Sequence, residues 1–339
     1  MDKVKRKKEK SRFVIWVEYI FFMMFYKVLE YLPLAWAMKI SSNLMKLLCI
    51  IDRRHFKRII LHIIYSGIET DPQKAKALAR ANLGEFGKLL VEIAQIKKRF
   101  SVDKIRRCGS QAAWKIFDEE INGKKQFILA SAHYGNWEVA GTVVSQLTGV
   151  HLSSLMRSFS NPLIGERILS QRGNADHDLV DKNKGLRPIL QALAKGNSIS
   201  MVVDQHAASG EGVEVEFFGH PSRHHKTPAL LHLKTGIPII PTLVRRRSDN
   251  FEFDCVLGEP IVFDSTDDKE KDIAAVTQMV AWEIEDIIRE QPVQWLLAPR
   301  HWLSIERRCA ADYADWKAPF TRSELENMRK NKTNEKQND

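Results

Sequence analysis

The chain has 339 residues, 44% hydrophobic and 28% charged. That composition excludes a disordered or collagen-like polymer and is ample for a buried core. The net charge is +10, and the first twelve residues, with seven Lys or Arg and two Asp or Glu, hold +5 of it. The basic excess adjoins an apolar stretch and no base-reading or stacking motif accompanies it, so nucleic acid is not an expected partner. Four cysteines, Cys49, Cys108, Cys255 and Cys309, lie far apart and offer no CxxC pair and no disulfide framework.

After the basic tail, Phe13 to Phe25 is strongly apolar and aromatic, interrupted by Glu18. A spanning helix needs roughly 20 apolar residues, and this run is shorter. No small-residue cleavage site follows it, which argues against a signal peptide. The preferred expectation is a helix lying in the membrane interface behind a basic tail that meets anionic headgroups. A single span or an ordinary buried helix remains open. The basic tail favours the cytoplasmic side in either membrane case.

Residues 34–100 read as helical, with Asp71-Pro72 opening one helix through Pro at its first position. From residue 126 the pattern changes. Gln126–Ser131 reads as a short buried strand and Asn136–Leu147 as a helix. Ile199–Val203 is a second strand, ending at Asp204. Ile237–Val244 is a third, which Pro238 and Pro241 mark as an edge or irregular strand. Phe251–Leu257 alternates as a strand, and Ile273–Ile288 is an amphipathic helix. The expected fold class is α/β, a mostly parallel or mixed central sheet flanked by helices, with an N-terminal helical membrane-anchoring region. The expected organisation is residues 1–33 as tail and anchor, 34–325 as one α/β domain, and 326–339 as a polar tail.

One junction carries candidate chemistry. His133 falls in the turn after the strand 126–131, Asn136 is placed to cap the next helix, and Glu138 lies in its first turn. Five residues apart on one helix, His133 and Glu138 would sit about 140° apart and not meet. Across a strand–turn–helix junction they can, with Gly135 supplying the turn's freedom. The crevice at the carboxyl ends of strands is also where open α/β sheets bind ligands. A histidine held by a carboxylate is a general base, and an acceptor hydroxyl can itself be the nucleophile. Asp204 either supports His133 as a second acidic partner or caps the following loop. His206, His220, His224 and His225 lack a carboxylate or cysteine at ligand spacing, so no metal is expected.

His133-Tyr-Gly-Asn-Trp-Glu138 resembles the H-x4-D/E signature of glycerolipid acyltransferases, in the form found among the late acyltransferases of lipid A biosynthesis. Further elements keep the family's order: Met156-Arg157 with Asn161-Pro162, Arg172-Gly173, Lys195-Gly196 leading to Val203-Asp204-Gln205, Val215–Gly219, Thr235–Pro238, and Gln294-Trp295 with Arg300. Two departures stand out. The closing string is Leu296–Trp302 in place of a Trp-x-His-Arg-Arg-like one. Arg223–Lys226 adds charge after Phe-Phe-Gly, where the family tends to be small and Gly-rich.

The resemblance implies O-acyl transfer from an acyl-carrier-protein thioester, less often coenzyme A, to a lipid A precursor hydroxyl. The expected location is the cytoplasmic face of the bacterial inner membrane, among membrane lipids. Another glycolipid acceptor, such as a phosphatidylinositol mannoside, is the alternative. The implied catalytic residues are His133, Glu138, Arg157 (as donor to the oxyanion) and Asp204. The implied substrate contacts are Asn136, Asn161, Arg172, Gln205 and Arg300. No cofactor is implied.

Overall fold

The computed structural model describes residues 11–121, 126–156, 159–170, 177–181, 186–208, 210–302 and 316–326. Residues 1–10, Arg157, Arg172 and residues 327–339, on which expectations fell, lie outside them.

Four helices open the chain: α1 (Arg12–Tyr31), α2 (Leu34–Ile51), α3 (Arg53–Tyr65) and α4 (Pro72–Arg99). Side-chain oxygens of Ser11, Asp52 and Asp71 accept main-chain N–H groups at the starts of α1, α3 and α4, satisfying donors that have no intrahelical partner. Pro72 opens α4, where its missing N–H costs nothing. No helix among the described residues is long and apolar enough to cross a membrane.

The remainder alternates strands and helices: β1 (Ile105–Gly109), α5 (Gln111–Ile121), β2 (Ile128–Ser131), α6 (Trp137–Thr148), β3 (Leu152–Met156), α7 (Pro162–Leu169), β4 (His177–Asp181), α8 (Arg187–Ala194) and β5 (Ser198–Val202). A two-stranded antiparallel hairpin, β6 (Gly212–Phe217) and β7 (His220–His225), precedes α9 (Thr227–Thr235). Then come β8 (Ile239–Ser248), β9 (Glu252–Leu257) and α10 (Lys269–Glu290). The sheet order is β1-β9-β8-β2-β5-β3-β4. Only the β8–β9 pair is antiparallel, so the α/β expectation of a mostly parallel, mixed sheet holds.

Both faces of the sheet are covered. Ile128 and Ala130 of β2 pack with Ile199, Met201, Ile239 and residues of α8, α9 and α10. The alternate residues Phe127 and Leu129 pack with Ile240, Val244 and residues of α4, α5 and α6. That alternation is the period-2 geometry of a strand buried on both sides.

Of the two expectations for β8, an edge or an irregular strand, the edge does not hold: β8 is central, between β9 and β2, with a register shift between Arg246 and Ser248. Ile239 N–H donates to Ile261 O on the β9 side, and Pro241, two residues on, faces that same side. The β8–β9 ladder begins only at Thr242. The missing N–H therefore falls just before a donor is required.

Candidate active site

His133 and Asp204 meet because their strands are neighbours. β2 and β5 run parallel with Ser131 opposite Val202, so two residues further along each strand His133 and Asp204 stand side by side. His133 Nδ1 lies 2.7 Å from Asp204 Oδ1. An ionised carboxylate only accepts, so Nδ1 carries the donated hydrogen, and in the neutral imidazole Nε2 then holds the lone pair. Asp204 is fully buried while His133 is 24% exposed. Burial alone raises the Asp204 carboxyl pKa. His133, followed by the nearby His301 and the Trp295 indole N–H at 2.9 Å from Oδ2, overrides that and holds it well below the usual carboxylate range. Asp204 is thus an anion at neutral pH, bonded through both oxygens.

Of the two acidic partners the sequence offered His133, Asp204 is the one hydrogen-bonded to it. Glu138 does lie in the first turn of α6, but its Oε1 accepts the Trp137 indole N–H at 3.0 Å. Its place is the wall of the cleft, which has a volume of about 310 Å³. His133, Trp137, Ser154, Met156, Phe159, Gln205, His206, His225 and Thr227 also line that cleft. The Trp137 ring stands edge-on to the His133 imidazole at 5.3 Å. Gln205 Nε2 lies 3.4 Å from His133 Nε2, at the long end of hydrogen bonding. A second cavity, about 540 Å³ and mostly apolar, shares Met156 and Phe159 with the cleft and continues past Pro162, Leu169 and Leu179.

The turn that presents His133 is bolted to the rest of the fold. Leu296 N–H donates to His133 O at 2.8 Å, Gly135 N–H to Gln294 O at 3.0 Å, and Asn136 N–H to Val244 O at 3.0 Å. Gly135 has φ +54°, and a Cβ there would stand 2.2 Å from Val244 O. Only glycine fits.

Two residues expected to contact substrate, Asn136 and Asn161, make structural bonds in this fold. Asn136 is fully buried: its Oδ1 caps α6 through Val139 N–H, and its Nδ2 donates to Glu92 at 2.8 Å. Its amide does not line the cleft. Asn161, also buried, caps α7 and donates from Nδ2 to Ile15 O and Glu18, tying α7 to α1. Arg300 is exposed, and its carbonyl accepts from His206 N–H.

Sequence reasoning missed the buried ions beneath the turn. Glu92 receives Arg246 through Nε and Nη2 at 2.5 and 2.7 Å, Arg246 also reaches Glu85, and Gln294 brackets the Arg246 main chain. Glu92 sits two turns inside a long helix and nothing local marks it. Its signal is a carboxylate among the apolar residues of α4. Among the described residues no cluster of His, Cys, Asp and Glu is arranged to hold a metal ion.

Residues 3–304 match the family described as bacterial lipid A biosynthesis acyltransferase. Among curated proteins, the chain is similar to the phosphatidylinositol mannoside acyltransferase of Mycobacterium tuberculosis strain H37Rv, 27% identical over 180 residues, 52% of this chain and 54% of that protein. The protein of the same name from Mycolicibacterium smegmatis is 27% identical over 187 residues, 53% and 59% of the two chains. The chain thus spans about half the length of the curated relatives it matches.

Proposed function

Because the chain belongs to the bacterial lipid A biosynthesis acyltransferase family, we propose that it is an acyltransferase that moves a fatty acyl chain from a thioester to the hydroxyl of a membrane glycolipid. His133 is the general base in this reading and Asp204 its partner. The observation that carries it is the His133–Asp204 hydrogen bond, which leaves Nε2 uncommitted to Asp204 in a residue that lines a cleft sharing Met156 and Phe159 with an apolar cavity. Nε2 takes the proton of the acceptor hydroxyl as its oxygen attacks the thioester carbonyl. The tetrahedral intermediate collapses with loss of thiolate, which receives the same proton from His133. The net change is thioester plus alcohol to ester plus thiol. Arg157 is the family-implied donor to the oxyanion, and the apolar cavity suits the acyl chain.

The first reading of the acceptor is a lipid A precursor, with acyl-carrier protein as donor, supported by the family match. The second is a phosphatidylinositol mannoside, favoured by the names of the curated relatives. Purified full-length protein given a palmitoyl-carrier-protein thioester and equal amounts of the two acceptors decides between them by product mass spectrometry. Acylation confined to the mannoside would replace the first reading with the second. Transfer to neither would overturn both.

The proposed location is the cytoplasmic face of the inner membrane, with α1 and α2 lying in the interface. Among the described residues, exposed large apolar side chains concentrate there: Trp16, Phe21 and Met24 on α1, and Trp36, Leu47 and Ile51 on α2, Phe21 at 69% and Ile51 at 80% exposure. The basic segment 1–12 precedes this face, a combination that favours an anionic bilayer.

A further inference from the structure

We infer that Trp295 is a positioning residue for the catalytic pair, its indole N–H fixing the second carboxylate oxygen of Asp204. The inference rests on reading His133 as the base and Asp204 as its partner. Asp204 Oδ1 accepts from His133 Nδ1 at 2.7 Å, and Oδ2 accepts from Trp295 Nε1 at 2.9 Å. With one N–H on each oxygen, the carboxylate neither swivels nor exchanges the oxygen it offers to His133.

The indole is itself held. Trp295 is fully buried and its ring stacks on Phe218, with centroids 5.1 Å and planes 9° apart. The Arg289 guanidinium lies 4.4 Å from the Phe218 ring centroid, completing a stack of cation, phenyl and indole. Phe218 has φ +53°, a left-handed conformation uncommon for a bulky residue. Its N–H donates to the buried Glu285 carboxylate at 2.5 Å, which holds it there. That conformation is the one the two-residue β6–β7 turn asks of both its residues, Gly219 following at φ +75°.

The indole N–H has an electronic consequence as well. It draws on the Asp204 charge and so tempers the pull of that carboxylate on the His133 proton. Without it, Asp204 stabilises the imidazolium more strongly and His133 becomes harder to keep neutral. Other titratable groups surround the pair: Glu138 on α6, His206 after β5, His224 and His225 on β7, and His301, whose Nδ1 lies 3.0 Å from Asp204 O. Of these, His301 also packs on the Trp295 ring, with centroids 4.3 Å apart, and Trp295→Phe keeps an aromatic ring beside it.

The test is the His133 pKa, read by NMR on the full chain with isotope-labelled histidine in detergent micelles and assigned by loss of its signal in His133→Gln. Trp295→Phe keeps an aromatic ring and deletes the donor. It should raise the His133 pKa by about half a unit or more and lower kcat more than it changes KM in thiol release from palmitoyl-coenzyme A. Asp204→Asn should lower the same pKa. An unchanged pKa in Trp295→Phe beside a lowered one in Asp204→Asn overturns the inference alone. An unchanged pKa in Asp204→Asn overturns the reading beneath it. Should Trp295→Phe not fold, the native protein still decides: an indole N–H resonance must titrate with the His133 midpoint, and its absence overturns the inference.

Discussion

At the scale of the residue, what distinguishes His133 is that one ring nitrogen is committed to a buried anion and the other faces a cleft. Removing the imidazole removes the proton acceptor, so His133→Ala should lower kcat for acyl transfer by about 10²–10⁴. Asp204→Asn leaves Nδ1 without an anion and should approach that loss. Glu138→Gln, on the cleft wall, should cost less. Steady-state rates of the three variants rank them, and a larger loss at Glu138 than at Asp204 would reverse the assignment. The sequence exposed His133 well, because a histidine after a buried strand with Gly135 and a capping Asn136 is a local pattern. Its partner was less legible. Glu138 is near in sequence, whereas Asp204 is near only because β2 and β5 pair in one particular register, and register is a property of the whole sheet. Asn136 and Asn161 stand in the family's order, yet their amides serve helix caps and interhelical ties. Position in a motif does not separate a scaffold role from a substrate role.

At the scale of the element, the site depends on the turn between β2 and α6. Gly135→Ala would drive a methyl group into Val244 O while imposing a left-handed φ on a residue with a side chain. It should destabilise the fold by at least ~1–3 kcal/mol and displace His133, seen as a lower thermal midpoint together with lost activity. The second support is the buried Arg246 between Glu92 and Glu85. Truncating Glu92 leaves the buried Arg246 with Glu85 as its one remaining described carboxylate partner and removes the acceptor of the Asn136 amide, so Glu92→Ala should cost about 3 kcal/mol by chemical denaturation. A loss below ~1 kcal/mol would show that the ions contribute little. The strands and helices themselves were legible, since period-2 and period-3.6 apolar patterns mark them. An edge position was one of two expectations for β8 and did not hold, because proline's missing N–H matters only on the side and at the residue where a ladder asks for it. That side depends on neighbours the strand's own residues do not name.

At the scale of the molecule, the apolar face of α1 and α2 and the basic N-terminal segment predict co-sedimentation with anionic vesicles. Replacing Trp16 and Phe21 by Ser should weaken it, and salt should weaken it further. Equal retention by neutral vesicles would remove the electrostatic part of the proposal. Acid sensitivity is a second global property. Burial pushes both His62 and His224 down to about 3, so the folded state keeps them neutral while the unfolded chain protonates them near 6.5. Between those values the unfolded state binds more protons, and stability falls as pH drops from about 6.5 toward 3. Asp204 acts in the same direction only below its ordinary range near 3.8, and Glu285, raised by burial, acts oppositely above 4.5. Denaturant midpoints at pH 7.5 and 5 should differ accordingly, and His62→Gln should narrow the difference.

The most direct measurement of the central claim is product mass spectrometry of the full-length protein, native and Asp204→Asn, incubated with an acyl thioester and a panel of phosphorylated glycolipids. The account predicts a glycolipid heavier by one acyl chain from the native protein, and at most about a hundredth of that product from Asp204→Asn. Undiminished product from Asp204→Asn, or no acylated glycolipid from the native protein, would contradict it.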